Sequence, residues 1–517
     1  MDVTDLADAG VLVAGAGTAG RSAARYLLSV GARVTVADTR FGDETVDDEL
    51  VDQGARALAM STVLDDDAWA DSYDLVVTSP GFAPTHPLVV HAAEAGLPVW
   101  GEVELAWRLD RAGVLGAPRT WLVVTGTNGK TTTTSMLTEI VERSGRSTAA
   151  CGNIGLPVLD AMRQTPRVDV LCAELSSFQL HWAPSVQPDA GVVLNIAEDH
   201  LDWHGSFAAY ADAKAIALHG DICVVGLDDP VAAGLAVNGR RIGFTLGRPE
   251  RGDLGVVDGV LVDRAFTDVE RPIVDADVIH PPGPSGVADA LAASALALSI
   301  GVDPIVAGDA LRGFRPAAHR GEVVVRVGDV DYIDDSKATN PHAADAAVRG
   351  HRRVVLIAGG LLKGAEVDDL IRDNRARLAG VVAIGRDRDV IVDAILRHAP
   401  EVPTVTVFTG DDGRVTVQPA TTTPDLPADL LTPTLPVLDH PVVGAGGGVD
   451  PTAESVMRRA VTAAAHLAGG AADRPDAVLL APAAASLDMF AGYGRRGDAF
   501  AAAARTLPGA AEPSGSH

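Results

Sequence analysis

Cysteine and positive charge are both scarce in this chain. Cys151, Cys172 and Cys223 are too few and too scattered for a disulfide framework or a cysteine-type zinc site, which is typical of a reducing compartment. Lysine and arginine total 42 against 69 acidic residues, which gives a formal net charge of −27. Because nonspecific binding to nucleic acid or anionic lipid needs a basic surface, the composition argues against both kinds of partner.

Long apolar runs are also missing. No run approaches the roughly 20 residues that span a bilayer, and the acidic start MDVTDLADAG has no signal-peptide pattern. The sequence therefore predicts a soluble, cytoplasmic protein without membrane insertion. With 517 residues, 47% of them apolar and 21% charged, the chain is globular in composition but too long for one hydrophobic core, so we expect two or three domains.

Short, β-rich apolar runs alternate with helical stretches almost throughout the chain. Such alternation is typical of parallel sheets that are covered by helices on both faces. The runs include VLVAGAG, ARVTVAD, DLVVTSPG, TWLVVTG, VDVLCAEL, AGVVLNI, RVVLIAGG, GVVAIG and AVLLAPA. We therefore predict an α/β protein with mostly parallel sheets.

Two linkers divide this pattern into three predicted domains. RAGVLGAPR, near 111–119, precedes a new strand, and GFRPAAHR, which begins at Gly313, precedes another. The predicted domains are 1–112, 113–316 and 317–517. Residues 409–451 are rich in Thr, Pro, Asp and Gly without a clear period, so we predict a surface insertion or mobile loop there.

The segment VTGTNGKTT, residues 124–132, follows the apolar run WLVV and precedes a helical pattern. Strand, glycine turn and helix N-terminus form the context in which a loop binds phosphate. Its two glycines would let backbone N–H groups approach phosphate oxygens, Lys130 would reach the outer phosphates, and Thr131 would offer its hydroxyl to Mg²⁺. Val124 stands where the Walker pattern has its first glycine, so a tight βα turn that binds nothing stays open at this point.

A second glycine turn, GAGTAG at Gly15–Gly20, follows the run VLVA, and Asp38 closes the next strand. This spacing is typical of dinucleotide sites, in which an acid binds the ribose. Taken alone it suggests NAD, but G-x-G-x-x-G is a weak signal and any nucleoside diphosphate would suit the turn. A turn that binds nothing also stays open.

Acids and histidines follow two further strands. Glu174 ends the run VDVLCAEL, and NIAEDHLDWH contains Glu198, Asp199, His200, Asp202 and His204. Because the carboxyl ends of parallel strands meet at one edge, we expect Glu174 and His200 to face the crevice of the Lys130 loop, where Mg²⁺ would need a carboxylate. The spacing of the two histidines leaves a zinc hydrolase open, and a solvated acidic loop with a capping histidine is a third interpretation.

The last third of the chain predicts a second crevice. The runs VDYIDD, RRVVLIAGG and AVLLAPA end in polar segments, which the strand-end argument gathers at one edge. The residues concerned are Asp334, Asp335, Lys337, Thr339, Lys363, Ser486, Arg495 and Arg496. This crevice is locally basic in a very acidic protein and would suit a small anionic substrate or polyphosphate. Taken singly, its lysines, like Lys214 in YADAKAIAL, are also compatible with ordinary surface positions.

Taken in sequence order, these motifs resemble those of the ATP-dependent peptidoglycan-precursor ligases. DSKATN and ASLDMF are similar to the branch that adds D-glutamate to UDP-N-acetylmuramoyl-L-alanine. The matches span roughly residues 10 to 500 and are GTNGKTT, GNIG, ELSSFQL, NIAEDHLDWHG, YADAKAI, HR at His319–Arg320, DDSKATNPHA, GGLLKGA and APAAASLDMFAGYGRRG. Since this family has the shortened loop GTNGK[ST], the resemblance implies that the loop at Lys130 binds ATP.

The resemblance implies a Rossmann-like N-terminal domain for the uridine nucleotide, a central P-loop-type ATPase domain and a Rossmann-like C-terminal domain for the amino acid. The implied reaction is ATP-dependent amide bond formation through an acyl phosphate. ATP and two Mg²⁺ ions would be the cofactors, with Lys214 carbamylated and bridging to metal. The implied partners are UDP-N-acetylmuramoyl-L-alanine and D-glutamate, and we expect a monomer.

Matching the motifs position by position implies a role for individual residues. The predicted catalytic residues are Lys130, His200, Lys214 and Lys337. ATP would contact Gly126, Thr127, Asn128, Gly129, Lys130, Thr131, Thr132, Arg320 and Asp335. The uridine substrate would contact Gly15, Gly17, Thr18, Asp38, Thr39, Arg40 and Asn153. D-Glutamate would contact Thr339, Lys363, Ser486, Leu487 and Tyr493. The metal ligands would be Thr131, Glu174, His200 and carbamylated Lys214.

Two features depart from the family pattern. Ser285 and Gly286 stand where the family usually has a His-Asn pair, so no adenine contact is predicted there, and the 409–451 segment is longer than the pattern. Two alternatives stay open. A sister ligase would use L-alanine or a diamino acid, and DSKATN argues against it. A nucleotide-binding regulator would have lost the reaction, and the intact lysines, Glu174 and His200 argue against that.

Overall fold

The computed structural model describes residues 3–41, 48–423, 426–436 and 451–512. The chain forms two compact units, Met1–Ile279 with Val287–Phe314, and His280–Gly286 with Arg315–His517. Within the described residues, the first unit contains two sheets and the second contains one. The predicted domain boundaries near residues 112 and 316 stay predictions.

The first sheet is parallel and has five strands, β1 Gly10–Ala14, β2 Arg33–Asp38, β3 Arg56–Ala59, β4 Leu75–Thr78 and β5 Val99–Gly101. Their order is β3-β2-β1-β4-β5. Its helices are α1 Thr18–Ser29, α2 Asp48–Asp52, α3 Met60–Leu64, α4 Pro87–Glu94 and α5 Glu102–Arg111. Every residue of β1 is buried, as expected for a strand covered on both faces. Because the strand order reverses between β1 and β4, a crevice opens at their carboxyl ends.

The second sheet has nine strands, β6 Thr120–Thr125, β7 Thr148–Gly152, β8 Val170–Glu174, β9 Ala190–Val193, β10 Ile222–Gly226, β11 Arg240–Phe244, β12 Asp253–Val257, β13 Val260–Asp263 and β14 Arg271–Asp275. Their order is β14-β13-β12-β11-β10-β9-β6-β8-β7, and only the β12-β13 and β13-β14 pairs among them are antiparallel. The accompanying helices are α6 Lys130–Arg143, α7 Val158–Met162, α8 Ser177–His181, α9 Leu201–His204, α10 Phe207–Ala215, α11 Pro230–Ala233, α12 Pro284–Ser299 and α13 Pro304–Gly313. The central strand β6 lies between β8 and β9, so the loop that follows it lies at the middle of the carboxyl edge.

A buried ion pair anchors the connection between the first two sheets. The Arg119 guanidinium donates to Asp110 Oδ1 at 2.9 Å, and the indole N–H of Trp121 donates to Oδ2 at 3.0 Å. Arg119 also donates to the carbonyls of Val168 and Met162. The two buried charges therefore compensate each other and tie the end of α5 to the start of β6.

The sheet of the second unit has eight strands, β15 Glu322–Val327, β16 Val330–Asp334, β17 Val354–Gly359, β18 Leu378–Ile384, β19 Thr404–Thr409, β20 Val415–Pro419, β21 Ala477–Leu480 and β22 Ala510–Ala511. Their order is β20-β19-β18-β17-β21-β16-β15-β22, with parallel pairing from β19 to β16. The helices are α14 Pro341–Arg349, α15 Asp368–Asn374, α16 Arg388–His398, α17 Ala428–Leu431, α18 Pro451–Gly470 and α19 Tyr493–Arg505. No helix in the described part of the chain is long and apolar enough to cross a bilayer.

Part of the segment predicted as an irregular insertion is regular structure. Residues Val415–Pro419 form β20, which pairs antiparallel with β19, and the side chains of Val415 and Val417 are buried. The prediction of an irregular loop is wrong for these residues. The alternation of only two buried valines with polar residues is too short to be recognised as a strand pattern among the surrounding Thr and Pro. Residues 437–450 of the segment lie outside the described residues.

All three cysteines are free and buried. Cys151 and Cys172 lie on the adjacent strands β7 and β8, and Cys223 lies on β10. Burial raises the pKa of each thiol, to about 11 for Cys172. These side chains therefore act as small core residues of the second sheet.

Replacing Asp110 by alanine should strongly destabilise the first unit. The substitution leaves the Arg119 guanidinium buried without its carboxylate, and breaking a buried pair in this way costs about 3–5 kcal/mol. Urea unfolding followed by tryptophan fluorescence measures the loss. Asp309→Ala is the control, because it removes an exposed ion pair with Arg312 and should cost less than about 1 kcal/mol. Equal effects of the two substitutions would contradict the role given to the buried pair.

Candidate functional site

The loop between β6 and α6 has the geometry of a phosphate-binding turn. Gly126 (φ +158°) and Gly129 (φ +83°) adopt backbone conformations that favour glycine, and Gly129 precedes α6 directly. The Nζ of Lys130 donates to the carbonyls of Gly126 and Thr127 at 2.9 and 2.8 Å. The ammonium group therefore lies over the loop at the N-terminus of a 14-residue helix, where an anion is favoured.

Long-range hydrogen bonds support this loop. The N–H of Asn128 donates to Oδ1 of Asn195 at 2.9 Å, and the hydroxyl of Thr127 lies 2.9 Å from that of Tyr210. The N–H of Thr127 donates to the carbonyl of Asn195. The sequence interpretation missed Asn195 and Tyr210, because partners 67 and 83 residues away leave no local pattern.

Glu174, at the end of β8, lies beside the loop as the strand-end argument predicts. The hydroxyl of Thr131 donates to its Oε2 and the amide of Asn153 donates to its Oε1, each at 2.7 Å. Asn153, predicted to contact the uridine substrate, is thus held next to Thr131. A carboxylate and a hydroxyl at a helix N-terminus are the oxygen donors that Mg²⁺ prefers.

Lys214 lies on α10, and its buried side chain reaches the same loop. Its Nζ donates to the carbonyl of Gly126 at 2.7 Å and lies 4.6 Å from the centre of the Tyr210 ring. It forms no ion pair with a described carboxylate. Burial, reinforced by the neighbouring Lys130 ammonium, holds the pKa of Lys214 well below its usual range. The surface position that composition alone allowed for Lys214 is therefore wrong.

The two histidines after β9 have different environments. His200 has a left-handed backbone (φ +54°), and its ring centre lies 4.7 Å from that of Phe178. His204 Nε2 lies 2.9 Å from the hydroxyl of Ser177, and burial lowers the pKa of His204 to about 4. No group of three or more His, Cys, Asp or Glu side chains within the described ranges could hold a metal ion. The zinc interpretation of the His200–His204 spacing therefore gains no support.

The N-terminal glycine turn lies at the crevice between β1 and β4. Gly15 has φ +97°, Gly17 precedes α1 and Thr18 is the first residue of that helix. A Cβ atom on Gly15 would lie 2.8 Å from Cβ of Ser79, so the turn packs tightly against the segment that follows β4. This close approach requires glycine at position 15.

Asp38, at the end of β2, is already engaged by the protein. The Arg40 guanidinium donates to both carboxylate oxygens at 2.9 Å, and the N–H of Ala16 donates to Oδ2 at 2.6 Å. The hydrogen bonds from Arg40 hold the pKa of Asp38 well below its usual range. A ribose hydroxyl would have to compete with the Arg40 guanidinium for this carboxylate, which argues against the NAD interpretation.

In the second unit, β16 leads into a tightly bonded turn. His319 Nδ1 lies 2.7 Å from Asp334 Oδ2, and burial together with the Asp334 carboxylate raises the pKa of Asp335 to about 7. Arg496 is fully buried and donates to the hydroxyl and carbonyl of Ser336 at 2.9 and 2.8 Å. The expectation that Arg496 adds positive charge to an open crevice is therefore wrong, because its guanidinium satisfies buried oxygens of this turn.

The residues predicted for the amino acid follow adjacent strands of this sheet. The Lys337 ammonium lies 4.1 Å from the centre of the Tyr493 ring. Backbone bonds between Leu361 and Ala485 join the segment after β17 to the segment after β21. The segment after β17 contains Lys363, whose φ is +56°. The segment after β21 contains Ser486, whose side chain is buried, and Leu487, which is 67% exposed.

Replacing Gly129 by alanine should weaken ATP binding by at least about ten-fold, since a left-handed non-glycine residue costs about 1–3 kcal/mol and the new Cβ would overlap Oδ1 of Asp289. Asp289 in turn accepts a bond from Thr133 of α6. Calorimetric titration with a nonhydrolysable ATP analogue measures the change. Gly145→Ala is the matched control, because Gly145 has φ +82° with no atom within 4 Å of the added Cβ. Equal affinities in the two variants would argue against the loop as the nucleotide site.

Comparisons with known proteins agree with this arrangement. The Mur ligase MurD-like N-terminal domain matches residues 9–101, and the Mur ligase middle domain matches residues 124–246. A solved pseudomurein peptide ligase type C from Methanothermus fervidus covers 95% of this chain and 98% of its own length, with a TM-score of 0.50 and 17% identity, and so shows the fold alone. Together with the three sheets, these matches confirm the predicted α/β fold of three domains with mostly parallel sheets.

Two curated relatives are similar over nearly the whole chain. The UDP-N-acetylmuramoylalanine–D-glutamate ligase of Rhodococcus jostii is 53% identical over 494 residues, which cover 95% of this chain and 94% of that protein. The enzyme of the same name from Mycolicibacterium smegmatis is 53% identical over 504 residues, covering 96% and 97%. The chain therefore belongs to the Mur ligase family, in its UDP-N-acetylmuramoylalanine–D-glutamate ligase branch.

Proposed function

We propose that this protein uses ATP to join D-glutamate to UDP-N-acetylmuramoyl-L-alanine in the synthesis of peptidoglycan precursors. The observation that carries the proposal is the identity of about half of all residues, over at least 95% of the chain, with ligases named for this reaction. The phosphate loop at Lys130 and the polar strand ends of the second unit would supply the two kinds of site that the reaction needs.

The reaction first activates a poor electrophile. An oxygen of the substrate's terminal carboxylate attacks the γ-phosphorus of ATP, ADP leaves, and an acyl phosphate forms. The amine of D-glutamate then attacks the carbonyl carbon, phosphate leaves, and the nitrogen loses a proton. Lys130 would bind the phosphates and neutralise charge on the transferring group, and Lys337 would act on the reacting phosphate.

Mg²⁺ would fit the oxygen donors beside the phosphate loop. Thr131 and Glu174 already place a hydroxyl and a carboxylate within 2.7 Å of each other, and His200 follows the neighbouring strand β9. When bound, the ions would neutralise phosphate charge. Two ions, with His200 as a ligand, stay part of the proposal.

Carbamylation of Lys214 would complete this donor set. The Lys214 and Lys130 amines donate to the same carbonyl oxygen, that of Gly126, at 2.7 and 2.9 Å. Two ammonium groups so close repel each other, and the burial of Lys214 favours its neutral amine. A neutral amine can add CO₂ with loss of a proton, and the resulting carbamate would carry a negative charge shared by two oxygen ligands. The observation that supports carbamylation of Lys214 is that both amines donate to the carbonyl oxygen of Gly126.

The substrate sites follow the two crevices. The glycine turn with Arg40 and Thr39 would hold the uridine nucleotide, since the Arg40 guanidinium lies beside the turn and is largely exposed. Arg320 and Asp335 would contact ATP. The amino-acid site would comprise Thr339, Lys363, Ser486, Leu487 and Tyr493. Cytoplasmic location, a monomeric state and the absence of nucleic-acid or membrane partners stay predictions.

Phosphate release from ATP and Mg²⁺ tests the reaction directly. With UDP-N-acetylmuramoyl-L-alanine present, we expect release with D-glutamate and none with L-glutamate, L-alanine or meso-diaminopimelate. Lys363→Ala should raise the KM for D-glutamate at least about ten-fold, because a charged hydrogen bond contributes about 1.5–3 kcal/mol. The KM for ATP should stay unchanged. Release with another amino acid would assign the chain to a sister ligase, and no release with any would favour a regulator.

Carbamylation of Lys214 can be observed without turnover. In ¹³C-bicarbonate, the NMR spectrum of the wild-type protein should contain a carbamate signal that is absent from Lys214→Ala. Lys130→Ala should keep the signal, because the labelled carbamate carbon is attached to Nζ of Lys214 and not to residue 130. A spectrum without the signal in the wild type, or with it in Lys214→Ala, would contradict the assignment.

A further inference from the structure

Two tryptophans of the second sheet's helical layer hold a loop of the first sheet. The indole N–H of Trp182 donates to the carbonyl of Phe82 at 3.0 Å, and that of Trp203 donates to the carbonyl of Gly81 at 3.2 Å. Trp182 is 7% exposed and packs in the same apolar cluster as Leu12 of β1. The loop that follows β4, residues 79–86, is therefore bonded to the central domain at two successive carbonyls.

The same loop forms one wall of the glycine turn. The N–H of Ser79 donates to the carbonyl of Ala14 at 2.8 Å. A Cβ atom on Gly15 would lie 3.2 Å from the Phe82 ring, so the loop and the turn are in close contact. These local bonds belong to the N-terminal domain alone. The shape of the turn therefore does not require the tryptophan bonds. Its position against the central domain depends on those bonds together with the bonds from Ser22 and Arg25 of α1 to Asp160 of α7.

Both tryptophans also lie close in sequence to predicted metal ligands, Trp182 to Glu174 and Trp203 to His200. Glu174 leads into α8, and Trp182 follows the last residue of that helix. His200 precedes α9, which contains Trp203. The centre of the Phe178 ring lies 4.7 Å from the ring centres of both His200 and Trp203. Packed aromatic side chains therefore connect the predicted metal ligand His200 to Trp203.

We propose that Trp182 and Trp203 are positioning residues: by binding the 79–86 loop, they help to set the distance between the uridine-substrate site and the phosphate loop. The inference rests on the proposed assignment of the glycine turn to the uridine nucleotide. The substrate is anchored at one end and reacts at the other, so its carboxylate meets the γ-phosphate only if the two sites are correctly spaced. A displacement of about 1 Å can lower the rate about 100-fold.

Trp182→Phe and Trp203→Phe test the inference, because each keeps an aromatic ring and removes the indole N–H. Trp69→Phe is the matched control. Trp69 is 3% exposed in the same apolar cluster, and its N–H has no hydrogen-bond partner among the described residues. For all variants we would measure kcat, the KM for ATP, the Kd for UDP by calorimetry and the melting temperature. Trp203 is only half-buried, so Trp203→Phe should fold even if Trp182→Phe does not.

We expect kcat to fall about ten-fold or more in Trp182→Phe and Trp203→Phe relative to Trp69→Phe, as misplacement of the reacting groups requires. The Kd for UDP and the KM for ATP should stay within about two-fold, because the bonds within each site are intact. A kcat equal to that of Trp69→Phe would overturn the inference. So would parallel losses of UDP affinity and kcat, which would make the tryptophans part of the binding wall. Failure of wild-type protein to bind UDP would instead reject the underlying site assignment.

Discussion

The phosphate-binding loop of the central domain is held by two lysine amines that donate to one carbonyl oxygen. Lys130 reaches Gly126 from the first turn of α6, and Lys214 reaches it from inside α10. In a protein with a net charge of −27, the Lys130 ammonium is a local positive charge at a helix N-terminus that already favours an anion, whereas burial favours the neutral amine of Lys214. The glycine backbone, the hydroxyl of Thr131 and the Glu174 carboxylate lie around the same loop. A polyphosphate bound there would meet an ammonium group and a helix N-terminus that are already in place, so the loop is preorganised for such a ligand.

The general arrangement could be predicted from the sequence because parallel strands restrict where polar groups can lie. A strand buried on both faces, such as β6 or β8, accepts polar side chains mainly at or beyond its ends. Lys130 and Glu174 therefore had to meet at one edge, and the structure places them there. The motif resemblance added the identity of the ligands, which strand geometry alone does not contain. For the same reason Lys363 and Ser486, which follow adjacent strands, are brought to one region of the second unit.

The features of the site that the sequence did not predict are hydrogen bonds between residues that are distant in the sequence. Nothing near Asp38 shows that Ala16, 22 residues earlier, donates to its carboxylate, and nothing near Thr133 points to Asp289. Arg496 belongs to a glycine-rich basic segment typical of a surface loop, yet packing of α19 buries it. Hydrogen bonds between distant residues depend on the assembled sheets, so they become visible only in three dimensions.

The burial of all three thiols predicts slow reaction of the native protein with ordinary cysteine reagents, because a buried thiol with a raised pKa offers little thiolate and little access. Its natural cysteines need not be removed before site-directed labelling. A single cysteine introduced at an exposed position of each unit would accept a fluorophore or a spin label selectively. Spectroscopic distance measurements on the otherwise native chain could then follow the two units through a catalytic cycle.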